Sequence, residues 1–179
     1  MHRKKLLDLL HTHVEADNNE AVMKQKMIDF VNTYDNCFDR ELLIGHVTGS
    51  AWILDSTGKF VLLMHHRKLD KWFQPGGHCD GDSDVLHVAL KEAEEETGLS
   101  EITVVSNAIF DVDIHPIPER KGIPAHLHYD VRYLLKADKS LPLLINDESN
   151  GLAWVELEKV QELNDSESMM RMVRKTLIT

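Results

Sequence analysis

Residues 76–99 read GGHCDGDSDVLHVALKEAEEETGL. Two glycines open this stretch and Gly98 closes it. Between them, residues 83–97 have the make-up of a helix, with Asp82 or Ser83 as N-cap and Gly98 as the C-terminal stop. At about 100° per residue, Leu86, Leu90, Ala93 and Thr97 fall in one stripe, which is expected to face the core. Glu92, Glu95 and Glu96 gather on roughly the opposite side. Three carboxylates one turn apart repel each other unless a cation sits among them, and hard oxygen ligands of this kind suit Mg²⁺. An acidic helix face is ordinarily only a solvated surface, so the glutamates alone decide nothing. Their setting does: a loop-helix-loop bounded by glycines holds the carboxylates beside a place where backbone can approach a diphosphate.

Outward from this unit the chain alternates between strand and helix patterns. Residues 43–54 and 59–66 read as paired strands joined by the turn Asp55-Ser56-Thr57-Gly58. A loop over 67–77 follows, carrying Trp72, Phe73 and Pro75. Beyond the acidic helix, 102–114, 125–135 and 152–156 read as strands, with a proline-bearing loop at 116–124. Helices near 157–163 and 166–177 end the chain. Before residue 41 the apolar spacing is helical: Leu6, Leu9, Leu10 and Val14, then a capping break at Asp17-Asn18-Asn19-Glu20, then Val22, Met23, Met27, Phe30 and Val31. The pattern predicts a mixed α/β (α+β) domain over 41–179, with a helical extension over 1–40 packed on it.

Composition narrows the function. A chain of 179 residues with 42% apolar content suffices for one core. A formal net charge of −10 disfavours a nucleic-acid partner and also repels small anions, so an anionic substrate must arrive with metal ions or meet a local basic pocket. No run approaches the ~20 apolar residues of a membrane span, and Asp8, His11 and His13 interrupt the one segment that resembles an export signal. A cytoplasmic protein without a membrane partner is expected. Cys37 and Cys79 lack the close spacing of a disulfide framework or zinc knuckle and read as reduced thiols.

The segment 77–99 resembles the Nudix box, G-x5-E-x7-R-E-U-x-E-E-x-G-U, where U is bulky and apolar. Gly77, Glu92, Glu95, Glu96, Gly98 and Leu99 match; Ser83 stands for the first glutamate, Lys91 for the arginine and Ala93 for a larger apolar residue. Trp72-Phe73-Gln74-Pro75-Gly76-Gly77 resembles the family's lead-in. The resemblance implies an α/β/α sandwich around a mixed sheet and a Mg²⁺-dependent hydrolase, with Mn²⁺ able to substitute. Its substrate would be a nucleoside diphosphate linked to another moiety. It further implies Glu92, Glu95 and Glu96 as metal ligands and Glu95, Glu96 or the later Glu148 as the base. Gly76 and Gly77 would line the diphosphate site. Asp82 or Asp84 can stand in for the missing acid, and Lys91 keeps the charge but loses the bidentate fork. Homodimers are common among such proteins, although nothing in this chain encodes an interface. Two alternatives share the fold: a ligand sensor without turnover, and a diphosphate isomerase, for which Cys79 is the one cysteine near the box.

One further strand carries polar chemistry. In an extended 125–133, His126, His128, Asp130 and Arg132 share a face, with Leu127, Tyr129, Val131 and Tyr133 on the other. In the resembling fold this strand borders the substrate cleft, so His126, His128 and Arg132 are expected phosphate or base contacts. His65, His66, Arg67 and Lys68 form a second basic cluster beside the glycine loop. A pair of histidines suggests zinc, but no third ligand stands at a suitable spacing. Trp72 either stacks on a base or clamps its own loop. Met169, Met170, Met172 and Val173 read as a packing face.

Overall fold

Every residue of Gly45–Leu54 (β1) is buried. A strand hidden on both faces lies in the middle of a layered fold, and the sheet is organised around it. Its parallel neighbour is His126–Ala137 (β7), in continuous register from Gly45↔Leu127 to Leu54↔Lys136. On its other side, Gly76–His78 (β4) runs antiparallel against Thr48–Ser50, and Phe60–His66 (β2) meets the far end at Leu54↔Val61. Strand β2 also pairs with Lys71–Phe73 (β3) and Ser149–Glu156 (β8). Ile102–Val104 (β5) and Asp111–Ile117 (β6) share the outer edge of β7. This computed structural model describes residues 2–67, 70–120, 122–147 and 149–178, which form one mixed sheet of eight strands.

Helices cover both faces. Val47, Ala51 and Ile53 of β1 and Val131, Tyr133 and Leu135 of β7 share a core with Lys4–Thr12 (α1), Asn18–Thr33 (α2) and Val85–Thr97 (α3). On the opposite face Trp52, Leu54 and Leu134 join Val61 and Leu63 beneath Val160–Leu163 (α4) and Glu167–Leu177 (α5), where Met169, Met172 and Val173 fill the space. The α/β/α class is that expected. The segment 1–40 has no core of its own: Leu6, Leu10, Met27 and Phe30 belong to the same cluster as the sheet, and Phe30 stacks on Tyr129 at 3.8 Å. No helix among the described residues is long and apolar enough to cross a membrane.

The loop expected over 67–77 carries two short strands, β3 and most of β4, and three boundaries also differ from the sequence expectation. The N-cap of α3 is Asp84, later than Asp82 or Ser83. Asp82 instead turns the loop, accepting from Asp84 N–H at 2.8 Å. The single strand expected over 102–114 is two, because residues between Val104 and Asp111 leave the ladder; Ala108 N–H there turns back to Ser106 Oγ at 3.1 Å. The strand expected from residue 152 already begins at Ser149.

Candidate active site

Helix α3 lies on a glycine floor. A Cβ on Gly49 of β1 would come within 2.8 Å of the Val85 carbonyl and 3.1 Å of its side chain, so the helix rests directly on strand backbone. One turn after another the same helix face continues onto β4. A Cβ on Gly77 would lie 2.5 Å from the Glu92 carboxylate, and Gly76 N–H donates to Glu96 Oε2 at 2.9 Å.

This corrects the expected helix orientation. The buried residues of α3 are Val85, Val88, Ala89, Ala93, Glu96 and Thr97, with Leu86 and Leu90 only partly covered. Glu92 and Glu96 thus prolong the sheet-facing side and do not oppose it. Glu96 is only 5% exposed; Glu95 stands outside, paired with Lys91 at 3.7 Å. The amphipathic pattern counts a carboxylate as an outward group, whereas glycines leave room for one underneath. Among the described residues, Glu92, Glu95 and Glu96 are not gathered within 4.8 Å of one another as a ligand set.

The departures from the box are braced by other groups. Asp84 caps α3 through His87 N–H and pairs with Lys5 of α1 at 2.7 Å, while Asp82 takes His87 Nδ1 at 2.7 Å. Lys91 lies 3.8 Å from Glu92 as well as beside Glu95. At the other end Gly98 adopts the left-handed conformation, φ 72°, and its N–H closes on the Glu94 carbonyl at 2.9 Å. Leu144 N–H donates to the Thr97 carbonyl at 2.8 Å, which docks the loop before β8 onto this helix end. Glu148, the expected later base, lies outside the described residues, as does Lys68.

The polar face of β7 alternates as expected but serves two purposes. Arg132 is 3% exposed. It bonds Asp130 at 2.8 Å, Asp111 at 3.1 Å and Asp113 at 3.2 Å. Its donors are therefore committed to carboxylates, which corrects its expected role as a phosphate contact. Arg171 of α5 seals the same group from above, holding Asp111 through two bonds of 2.7 and 2.8 Å. Burial works against the charge on Asp113, but its hydrogen bond with His115 and the charges of Arg132 and Arg171 hold its pKa down to about 2.

Four residues before Arg132 on β7 the surroundings change. His128 and His126 meet His46 of β1 and His78 of β4, with ring centroids 4.9–5.3 Å apart among these pairs. His115 of β6 stands 5.5 Å from His128. Burial, followed by the neighbouring imidazoles, lowers the pKa of His46 to about 4 and that of His128 to about 2. The sequence reading found His126 and His128 but missed His46 and His78. Their only signal was two further histidines, one opening the central strand and one after the paired glycines, with no local spacing to connect them.

Other expectations resolve simply. Trp72 stacks on His65 of β2 at 5.1 Å, and its carbonyl accepts from Asn164 Nδ2. Cys37 and Cys79 are free and buried. Burial pushes the Cys37 thiol up to about 11 and the Cys79 thiol higher still.

The model of the NUDIX domain matches residues 45–176. The chain belongs to the Nudix family. It is 26% identical over 117 residues to the mouse asymmetrical bis(5'-nucleosyl)-tetraphosphatase, covering 64% of this chain and 76% of the mouse protein. An m7GpppN-mRNA hydrolase of Xenopus laevis is 33% identical over 94 residues, covering 49% of this chain but only 31% of that protein. Among solved structures, a C. elegans Ap4A hydrolase binary complex superposes with a TM-score of 0.60 at 22% identity, over 74% of this chain and 95% of that one. The E. coli dihydroneopterin triphosphate pyrophosphohydrolase gives 0.57 at 14% identity, over 74% and 96%. At such identities the structural likeness speaks for the fold.

Proposed function

We propose that this Nudix protein hydrolyses a phosphoanhydride bond in a nucleotide-derived substrate, with dinucleoside polyphosphates the first compounds to test. The observation that carries this reading is the placement of Glu92 and Glu96 against the Gly76-Gly77 backbone. Burying a carboxylate beneath a helix is costly unless it is compensated, and a fold that does so beside bare glycine backbone has prepared an anion-and-cation site.

The donors suit Mg²⁺. Glu92 and Glu96 offer hard oxygens one turn apart, and Gly77 leaves the space that the Glu92 carboxylate fills; Glu95, on the outer side of the helix, would turn inward to join them. Bound there, the ion supplies charge neutralisation at the phosphates and a lowered pKa for a coordinated water, and Mn²⁺ can substitute. The protein's own groups do the rest. Gly76 N–H fixes Glu96 in orientation. Glu95, exposed and next to Lys91, is a first candidate to accept a proton from water, with Glu96 and the later Glu148 as the other candidate bases. Glycines 76 and 77 let substrate approach backbone, while His126 and His128 provide contacts at the border of the cleft.

The relatives named above act on dinucleoside tetraphosphate and capped RNA by their names, which supports a phosphoanhydride target. The test is incubation with Mg²⁺ and a panel of dinucleoside polyphosphates, nucleoside diphosphate sugars, NADH and nucleoside triphosphates, assayed for released phosphomonoesters. Tight binding of one of them without turnover would replace the hydrolase with a ligand sensor.

A further inference from the structure

We propose that His46, His78 and His128 bind one late first-row transition-metal ion, of the Zn²⁺ or Co²⁺ type, at a site separate from the α3 glutamates. Three adjacent strands, β1, β4 and β7, each contribute one imidazole, and one ring nitrogen of each lies within 4.8 Å of the others. Bonds of about 2.0–2.1 Å to a tetrahedral ion would set the nitrogens roughly 3.4 Å apart. Modest side-chain rotation covers that difference.

Hydrogen bonding points the same way. His46 is 2% exposed, yet beyond a loose approach to the Leu42 backbone neither of its ring nitrogens makes a well-formed hydrogen bond, and His128 Nε2 is likewise buried without one. Buried polar groups are nearly always satisfied, and leaving one unmade is destabilising. Packing alone would be better served by apolar side chains, which the same strands use on the same face six residues further on at Trp52 and Leu134. An ion shared by the rings satisfies one nitrogen of each at once.

The donor chemistry selects the ion. An all-imidazole set without a carboxylate suits zinc, cobalt, nickel or copper, and is poor for Mg²⁺ or Ca²⁺. His126 is the nearest fourth donor. Its Nδ1 lies 2.9 Å from the Pro124 carbonyl, which can only accept, so the proton sits on Nδ1 and Nε2 is left as a lone pair. Strand β4 joins the two sites: Gly76 and Gly77 abut the glutamates and His78, the next residue, enters the histidine cluster. An ion there would stand beside the substrate cleft.

The experiment uses the full chain, stripped of metal by chelator and then held in excess Mg²⁺ to occupy hard-oxygen sites. Titration with Co²⁺ is expected to give the visible band of four-coordinate cobalt, saturating near one equivalent and lost on adding one equivalent of Zn²⁺. Glu92→Gln with Glu96→Gln should leave the band intact, whereas His46→Asn and His128→Asn should weaken binding at least tenfold. X-ray absorption at the zinc edge of the wild type should show three or more imidazoles, a measurement that stands even if a variant fails to fold. No stoichiometric Co²⁺ or Zn²⁺ uptake in Mg²⁺, fewer than three imidazoles, or undiminished binding by a folded His46→Asn protein would each overturn the site.

Discussion

The polar face of β7 holds two regions that treat buried polarity in opposite ways. At Asp130 and Arg132 the charges answer one another. Asp130 accepts from Thr48, Ser50, Gln74 and Arg132, and Asp111 meets Arg132, Arg171 and Lys175. From there the network runs through Lys175 to Glu20, whose carboxylate takes His13, Ala16 N–H and Val112 N–H. At His128, two residues before Asp130, the strand meets His46 and His78, and ring nitrogens of His46 and His128 are left without hydrogen-bond partners. The first region ties α2, α5, β6 and β7 together; the second ties nothing. A satisfied network is a structural device, and an unsatisfied one is the place to look for a ligand.

The largest effect should come from breaking the satisfied region. Asp111→Ala strands Arg132, Arg171 and Lys175 in the interior, and loss of one partner from a buried ion group costs about 3–5 kcal/mol. Urea denaturation reads this directly; a loss below about 1 kcal/mol would mean the charges are solvated and the contrast is false. Glu96 has the burial of the first region and, on the proposed reading, the purpose of the second. Glu96→Gln can still accept from Gly76 N–H, so it should lower turnover at least 100-fold, about 2.7 kcal/mol in the barrier, with stability nearly unchanged. Equal rates in mutant and wild type would remove Glu96 from the chemistry.

Acid should act selectively on the paired region. Burial opposes the charge on Glu20, but hydrogen bonds from His13, Ala16 and Lys175 outweigh it and hold the pKa at about 2, below the usual 4.5. A carboxylate depressed on folding contributes stability that is complete above its unfolded pKa and lost as pH falls from about 4.5 towards 2. Glu20→Gln should therefore lower stability at neutral pH and flatten the acid limb of a thermal-melt series; a limb as steep as the wild type's would assign it to other groups. The smallest effect is expected at the histidines. In metal-free protein, His46→Leu replaces an unpartnered polar group with an apolar one and should change stability by less than about 1 kcal/mol. A cost as large as that of Asp111→Ala would make the cluster a structural one too.

How much of this was legible in the sequence follows from the range of each interaction. Turns, caps and periodicity are local, so β1, β2, α3, α5 and their order could be read, and the box glutamates stood out because their spacing lies within one helix. The orientation of α3 was misread, since the room beneath Glu92 and Glu96 comes from Gly76 and Gly77 in another strand. Arg132 was misassigned for a similar reason. A strand pattern shows which side chains share a face, but not that Asp111, Asp113 and Arg171 arrive from β6 and α5 to close over it.

The sequence by itself determined the family, the α/β layering and the acidic helix, because each is written in contiguous residues whose local conformational preferences agree. Tertiary structure alone decided which polar groups are spent on holding the fold and which are left unmatched. His46, His78 and His128 are separated by 32 and 50 positions in the chain, and only the pairing of β1 with β4 and β7 brings their rings together. Spacing along a chain cannot encode that convergence; sheet register does.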